Sequence, residues 1–398
     1  MTLLIPILFS AWLNGQTAEV RQLKDPVTGR SITWYRSGQH ENHHYYDISP
    51  WDPQERRLLY FRFDASVTER TATGRYPGSL WIRNVDGSGE RRVATGIMGN
   101  YHTGANQFWG PDGASVYYTA GAGTDRATYF VHLETGKTGR IQTPVPASKI
   151  SPDFRTVSCV RGSDWGLYEI ASGKYEKLVT LERAIALTPN KDLLREEPSS
   201  LQNTRFNPQG GQVLIVHRTN EDFPRLVEMF VYTIATGQLK WVADGLHHPN
   251  WRPDGKALLY VHPELPDYFQ SLMEVDVQTG KKTRLTKEHV PAGHPSYHPT
   301  KPHWIVTDCY GGPMGDGLAI INTKTGEMKQ LVTIPLGSKA VKPADGRFPF
   351  RNWGLWIPQR RFLNEPRPVW NKDGTKVLFT SEESGRQNLY VVDTSDLQ

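Results

Sequence analysis

Residues 248–261 read His248-Pro249-Asn250-Trp251-Arg252-Pro253-Asp254-Gly255-Lys256-Ala257-Leu258-Leu259-Tyr260-Val261. A short aromatic segment, a Pro-Asp-Gly turn and an apolar run of strand length spell two antiparallel strands joined by a tight turn. The pattern recurs as Trp51-Asp-Pro-Gln-Glu-Arg-Arg-Leu-Leu-Tyr-Phe, Trp109-Gly-Pro-Asp-Gly-Ala-Ser-Val-Tyr-Tyr and Ile150-Ser-Pro-Asp-Phe-Arg-Thr-Val-Ser-Cys-Val. It returns at Phe206-Asn-Pro-Gln-Gly-Gly-Gln-Val-Leu-Ile-Val, Tyr297-His-Pro-Thr-Lys-Pro-His-Trp-Ile-Val and Trp370-Asn-Lys-Asp-Gly-Thr-Lys-Val-Leu-Phe, making seven copies. Each copy is followed by a second hairpin, as in Leu272 to Val277, Thr279-Gly280 and Lys281 to Leu285. Four short antiparallel strands per unit, seven times over, predict an all-β fold, a seven-bladed β-propeller. After the copy at Trp370 only Asn388 to Asp393 reads as a further strand, while Thr28-Gly29-Arg30-Ser31-Ile32-Thr33-Trp34 reads as an orphan one. The last blade is therefore expected to be closed by an N-terminal strand, which removes two exposed edges; the alternative is a loose arm over residues 19–40.

The composition narrows the function. The 398 residues carry 46 Lys plus Arg against 41 Asp plus Glu, a net charge of +5 with no basic run, which argues against nucleic acid and is compatible with an acidic sugar as partner. Two cysteines, Cys159 and Cys309, are too few for a disulfide scaffold and too far apart for a zinc knuckle. Leu3 to Leu13 is apolar, interrupted by Pro6 and shorter than the ~20 residues that span a bilayer. With Asn14 to Ala18 it reads as a signal peptide over residues 1–18, lacking the usual basic start, ahead of one propeller domain over 19–398. A periplasmic or secreted protein with no membrane span is expected.

Equivalent positions of the innermost strands converge on the central channel. Alignment of the repeats puts Asn106, Ala147, Asn203, His248, His294 and Arg367 there, with Tyr45 beside His43 and His44 in blade one, whose turn is irregular. His248-Pro-Asn-Trp, His294-Pro-Ser-Tyr and Arg367-Pro-Val-Trp are one pattern with its first residue varied. A lone histidine there would read as structural; two and an arginine on adjacent blades read as a site. His102, before the blade-two strand, is a third candidate imidazole, equally readable as a solvated loop residue. Loops on the same face carry Arg62 with Asp64, Arg126, Arg161, Arg218 with Glu221, Glu264, Asp308 with Tyr310, and Glu382 with Arg386, a largely cationic rim. The segment Ile334 to Asn364 is expected to overhang the channel, with Trp353 or Trp356 stacking on sugar rings or serving as loop structure. No Gly-x-Ser-x-Gly elbow, phosphate loop or His-Glu-x-x-His occurs, which excludes a propeller-capped peptidase.

Imidazoles and guanidinium groups around one cavity suit β-elimination of a uronic acid, which needs a cation to neutralise the carboxylate and a base for the C5 proton. A glycoside hydrolase would need two opposed carboxylates, and only Glu365 is a clear inner acid. A propeller that binds glycan or protein without turnover is the other alternative.

The blade-five His-x-x-Trp-x-Pro-Asp-Gly, the blade-six His294, the x-Pro-x-Pro-x-aromatic segment of blade seven and the N-terminal strand together resemble the oligogalacturonate lyase family over most of residues 19–398. The resemblance implies a lyase for acidic oligosaccharides, with His248 as Brønsted base, Arg218 as an aid to catalysis and His294 as ligand of a divalent metal, manganese or else calcium. Where the family has His-Pro-His, this chain has Glu365-Pro366-Arg367. Glu365 can ligate a hard cation and Arg367 cannot, so either Arg367 replaces the metal as carboxylate clamp or the substrate differs, as in related lyases for ulvan or rhamnose–glucuronate linkages. The Pro-Asp-Gly turns are shared with TolB-like propellers and carry no chemistry. Substrate contacts are expected from Arg367, Asn203, Asn106, His44 and Tyr45, metal contacts from His294 and Glu365, and catalysis from His248, Arg218 and His102.

Overall fold

The computed structural model describes residues 19–64, 74–100, 102–121, 126–141, 149–192, 199–219, 227–245, 247–264, 269–287, 293–310, 316–333, 365–382 and 384–397. The expected signal peptide, Ala147, Glu221, and the overhang with Trp353 and Trp356 lie outside them, as do the side chains of Arg161, Glu264 and Tyr310.

Seven antiparallel sheets form the blades, each following the chain from an inner strand outward. In blade five the order is His247–Trp251, Ala257–Glu264, Phe269–Asp276 and Lys282–Arg284. The sequence pattern dictates its inner hairpin. Gly255 N–H donates to Arg252 O at 2.8 Å, and the left-handed φ of 69° that the turn imposes there suits glycine. Glu55 and Phe154 occupy the same turn position in blades one and three and adopt the left-handed conformation without glycine, with φ of 57° and 59°.

The core lies between blades, because each strand alternates its side chains toward two neighbours. In blade four, Leu214 and Val216 pack with Trp251, Leu258 and Tyr260 of blade five, while Val213 and Ile215 face Trp165 and Val179 of blade three. The repeat aromatic also pins the blades: Trp109 Nε1–H donates to Pro50 O at 2.9 Å, Trp251 to Arg205 O at 3.1 Å and Trp370 to Ser296 O at 3.2 Å. Each indole thus reaches the carbonyl just before the corresponding aromatic of the preceding blade, so burying it leaves no orphan donor.

Closure is as expected and goes one strand further. Ser31–Arg36 pairs antiparallel with Asn388–Asp393, Ile32 facing Val392 and Tyr35 facing Leu389. Glu19–Lys24 then adds a fifth strand outside it, so residues 19–36 are sheet and not a loose arm. The connecting turn is held by Asp25, whose carboxylate accepts from the N–H groups of Val27 at 3.0 Å, Thr28 at 2.7 Å and, from blade six, Thr333 at 2.7 Å. Deleting residues 19–36 is expected to expose the edge of Asn388–Asp393, lower the unfolding temperature and promote self-association, checked by a thermal melt and size-exclusion chromatography.

Candidate active site

The inner strands deliver the channel residues through a shared backbone feature. Asn106, Asn203, His248 and Arg367, four of the six positions aligned in sequence, all have left-handed φ, at 50°, 48°, 55° and 47°. The fold interrupts the ladder there: register shifts occur between Gln202 and Arg205 and between His247 and Asn250. Asparagine tolerates this conformation, whereas histidine and arginine adopt it at a cost, which points to a functional placement of His248 and Arg367. In blade one the left-handed residue ahead of the repeat aromatic is His44, with φ of 97°, so the channel position belongs to His44 with Tyr45 following it.

The irregular blade-one turn proves to be a segment, residues 43–48, that reaches across to other blades. His43 Nε2–H donates to Arg367 O in blade seven at 3.0 Å. Tyr45 lies 4.8 Å from the His102 ring and 5.1 Å from the His294 ring, centroid to centroid, and 6.1 Å from that of His248. Tyr46 packs on His248 at 5.7 Å and His294 at 5.2 Å. Asp47 then accepts from Lys149 Nζ of blade three and Arg205 Nε of blade four, each at 2.6 Å. Burial would keep the Asp47 carboxyl protonated, but Arg205 and Lys149 overcome it and hold its pKa below the ordinary range. A cavity of about 510 Å³ opens at the turn face and is lined by Tyr46, Asp47, Trp51, Trp109, Tyr297 and Trp370 among others.

The candidate site centres on three imidazoles and a carboxylate. His248 and His294 stack at 4.3 Å with 30° between their planes. His248 Nδ1 meets the Gly293 carbonyl, which can only accept, so the proton is assigned to Nδ1 and Nε2 carries the lone pair. Burial, with His247 and His294 as neighbouring potential cations, pushes the His248 pKa well down, and the ring is neutral at neutral pH. Burial acts likewise on His43 and His44, aided by Arg367 and Lys149 respectively, and brings His44 to about 3.

His102 Nδ1 lies 2.8 Å from Glu365 Oε2, and His294 Nε2 lies 3.8 Å from the same oxygen. Each of the three offers one ligand atom, and these atoms lie within 4.8 Å of one another. Burial alone would protonate Glu365, but His102, then His294 and Arg367, keep its carboxyl below the usual range. His294 Nε2 is buried without a hydrogen-bond partner among the described residues, while its Nδ1–H is taken by Asp308 Oδ2 at 2.9 Å. An ionised carboxylate, a second imidazole and an imidazole nitrogen with its lone pair free fit a divalent transition metal such as manganese; an all-oxygen shell, as calcium prefers, is not formed by these three.

The expected residues thus divide. His248, His294, His102, Glu365, Tyr45 and Arg367 meet around one point. Arg367 is fully buried with Nε–H donating to Glu365 O at 2.9 Å, which sets its charge against Glu365 with no side-chain surface exposed to the channel. Arg218 is half-buried at the end of the second strand of blade four, next in the alternation to Leu214 and Val216 on the face turned toward blade five. Asn106 is half-buried and Asn203 exposed. Two of the rim charges are internal: Arg62 is locked to Glu41 at 2.6 Å and Glu90 at 2.7 Å, and Asp308 is buried against His294. His43, Tyr46, Asp47, Lys149 and Arg205 were not singled out for function from sequence beyond His43's place beside Tyr45. The one signal for them is the extra length between Asn42 and Trp51.

No family model and no curated protein matches this chain. Among solved structures, an oligogalacturonate lyase in complex with manganese aligns with a TM-score of 0.68 at 15% identity, covering 94% of this chain and 96% of that one. The oligogalacturonate lyase of Vibrio parahaemolyticus aligns with a TM-score of 0.67 at 14% identity, covering 95% and 97%. The hydrazine synthase of Kuenenia stuttgartiensis gives 0.50 at 15% identity, covering 90% and 97%. Identities this low speak to fold alone. In fold, and over nearly its whole length, the chain is a seven-bladed β-propeller similar to the oligogalacturonate lyases.

Proposed function

We propose that the chain is a polysaccharide lyase that cleaves a uronic-acid-containing oligosaccharide, an oligogalacturonate or a related acidic glycan, by β-elimination. The observation that carries this reading is a neutral histidine, His248, stacked at 4.3 Å on one member of a His102–His294–Glu365 cluster suited to a cation. His248 Nε2 takes the C5 proton; the electron pair forms the C4–C5 double bond, the bond from C4 to the leaving oxygen breaks, and that oxygen takes a proton from solvent water to leave as a hydroxyl. Held by His102, His294 and Glu365, a divalent cation would neutralise the uronate carboxylate and acidify C5–H. Arg218 adds positive charge from blade four, Arg367 does so from behind Glu365, and Asn106, Asn203, His44 and Tyr45 contact the sugar. Tyr45 is well suited to remain a neutral hydroxyl, because burial, with Tyr46 and Glu365 nearby, pushes its pKa well up. A glycosidase role for Glu365 is disfavoured, since a carboxyl held ionised by His102 is a poor general acid. Export to the periplasm or medium is part of the proposal.

The test is the ultraviolet absorbance of unsaturated uronate during incubation with oligogalacturonate, ulvan or glucuronate-rich gums, with and without chelator. A rise with one substrate that chelator abolishes and manganese restores is the expected result. Binding without any rise would make the protein a glycan-binding propeller, and cleavage without a double bond would make it a hydrolase.

A further inference from the structure

We infer that Asp308 is a positioning residue of this site: it fixes which nitrogen of His294 is offered to a cation and where the Glu365–Arg367 segment stands relative to it. The inference rests on the cation-dependent reading above. Asp308 belongs to Trp304–Tyr310, the second strand of blade six, an otherwise largely apolar strand in which a fully buried carboxylate needs partners. It has them on two blades. Oδ1 accepts from the backbone N–H of His294 at 2.5 Å, and Oδ2 accepts from His294 Nδ1–H at 2.9 Å and from the backbone N–H of Arg367 at 3.2 Å.

Two consequences follow from a carboxylate being an acceptor only. The His294 proton stays on Nδ1, which leaves the lone pair on Nε2, the atom facing Glu365 Oε2 at 3.8 Å. The Arg367 peptide is gripped on both sides, its N–H by Asp308 and its carbonyl by His43 Nε2–H at 3.0 Å, which holds the left-handed turn of that residue. Glu365 lies two residues before it, so one buried carboxylate sets the spacing between the ligand atoms of blades six and seven.

A carboxylate that merely tied two blades together would affect stability and nothing else. Asp308→Asn separates the two roles, because the variant is isosteric and its amide can donate to His294 Nδ1, moving the proton to Nε2. Manganese binding to chelator-stripped protein, followed by electron paramagnetic resonance of the free ion, is expected to weaken about 10–100-fold in D308N, with its unfolding temperature recorded alongside. Nitrogen NMR of the imidazoles is expected to show the proton on Nδ1 of His294 in the unsubstituted protein and on Nε2 in D308N. Folded D308N that binds manganese as tightly as the unsubstituted protein overturns the inference. So does a proton on Nε2 of His294 in the unsubstituted protein, a measurement that decides the matter even where D308N does not fold. Absence of manganese binding by the unsubstituted protein, with the Nδ1 tautomer found, overturns instead the reading on which the inference rests.

Discussion

Replacing His248 by alanine is expected to lower turnover by about a thousand-fold, within the range that removal of a general base produces, while substrate affinity changes little. The expectation follows from how this ring is held. Its Nδ1–H is committed to the Gly293 carbonyl, its face is stacked on His294, and its environment keeps it neutral, so Nε2 is available as a base. His248→Gln is expected to be nearly as inactive, since an amide of similar shape cannot take the proton. The check is initial rate against substrate concentration, with binding measured separately by calorimetry. Because the pKa of His248 lies well below its ordinary value, the rate is expected to stay level from neutrality down through mildly acidic pH, where an unperturbed imidazole would already be protonated. A variant that retains turnover would move the base to another group.

Asp47→Asn is expected to be the most destabilising single change at the channel, by about 3–5 kcal/mol, because it strands the buried Arg205 and the half-buried Lys149 at once. Lys149 and Arg205 share the one carboxylate, and the side chains of Asp47 and Arg205 are 4% and 7% exposed. The check is chemical denaturation of the variant, and a triple variant with Lys149→Met and Arg205→Met is expected to recover part of the loss. The linkage has a definite sign. The folded pKa of Asp47 is depressed, so its contribution is complete above the unfolded value of about 3.9 and is lost as pH falls further toward the folded value. Asp47→Asn should therefore flatten the acid limb of the stability–pH curve, and Glu365, also depressed, accounts for part of the slope that remains.

The propeller was legible because its information is local and repeated: each Pro-Asp-Gly turn and each following apolar strand states its own conformation. The channel ring was legible for a related reason, since one alignment of the repeats finds Asn106, Asn203, His248 and Arg367, the four that share a left-handed backbone. What repeat logic could not supply is whatever departs from the repeat. Residues 43–48 form partnerships with residues from about 100 to more than 300 positions away, and nothing in Tyr46-Asp47 announces Lys149 or Arg205. Asp308 and Arg62 were read as rim charges because a charged residue in a strand is ordinarily at the surface. Only their partners, Glu41 and Glu90 in the same blade for Arg62, and His294 with the Arg367 backbone of the next blade for Asp308, reveal them as internal. The fifth strand, Glu19–Lys24, was missed because its burial pattern is mostly exposed and an outer edge strand has only one neighbour to satisfy.

The join between Ser31–Arg36 and Asn388–Asp393 also fixes when the candidate site can be completed during synthesis. Glu365 and Arg367 belong to the blade that this join completes, and the backbone of Arg367 is bound to both Asp308 and His43. On a ribosome, the first strand of the ring must wait without its partner until residues 388–393 emerge, so until then the ring is an open arc with two unpaired edges. On the proposed function, the first turnover by a newly made molecule would then serve as a clock for ring closure, and slowing translation after residue 333 should lengthen the wait without altering the finished propeller.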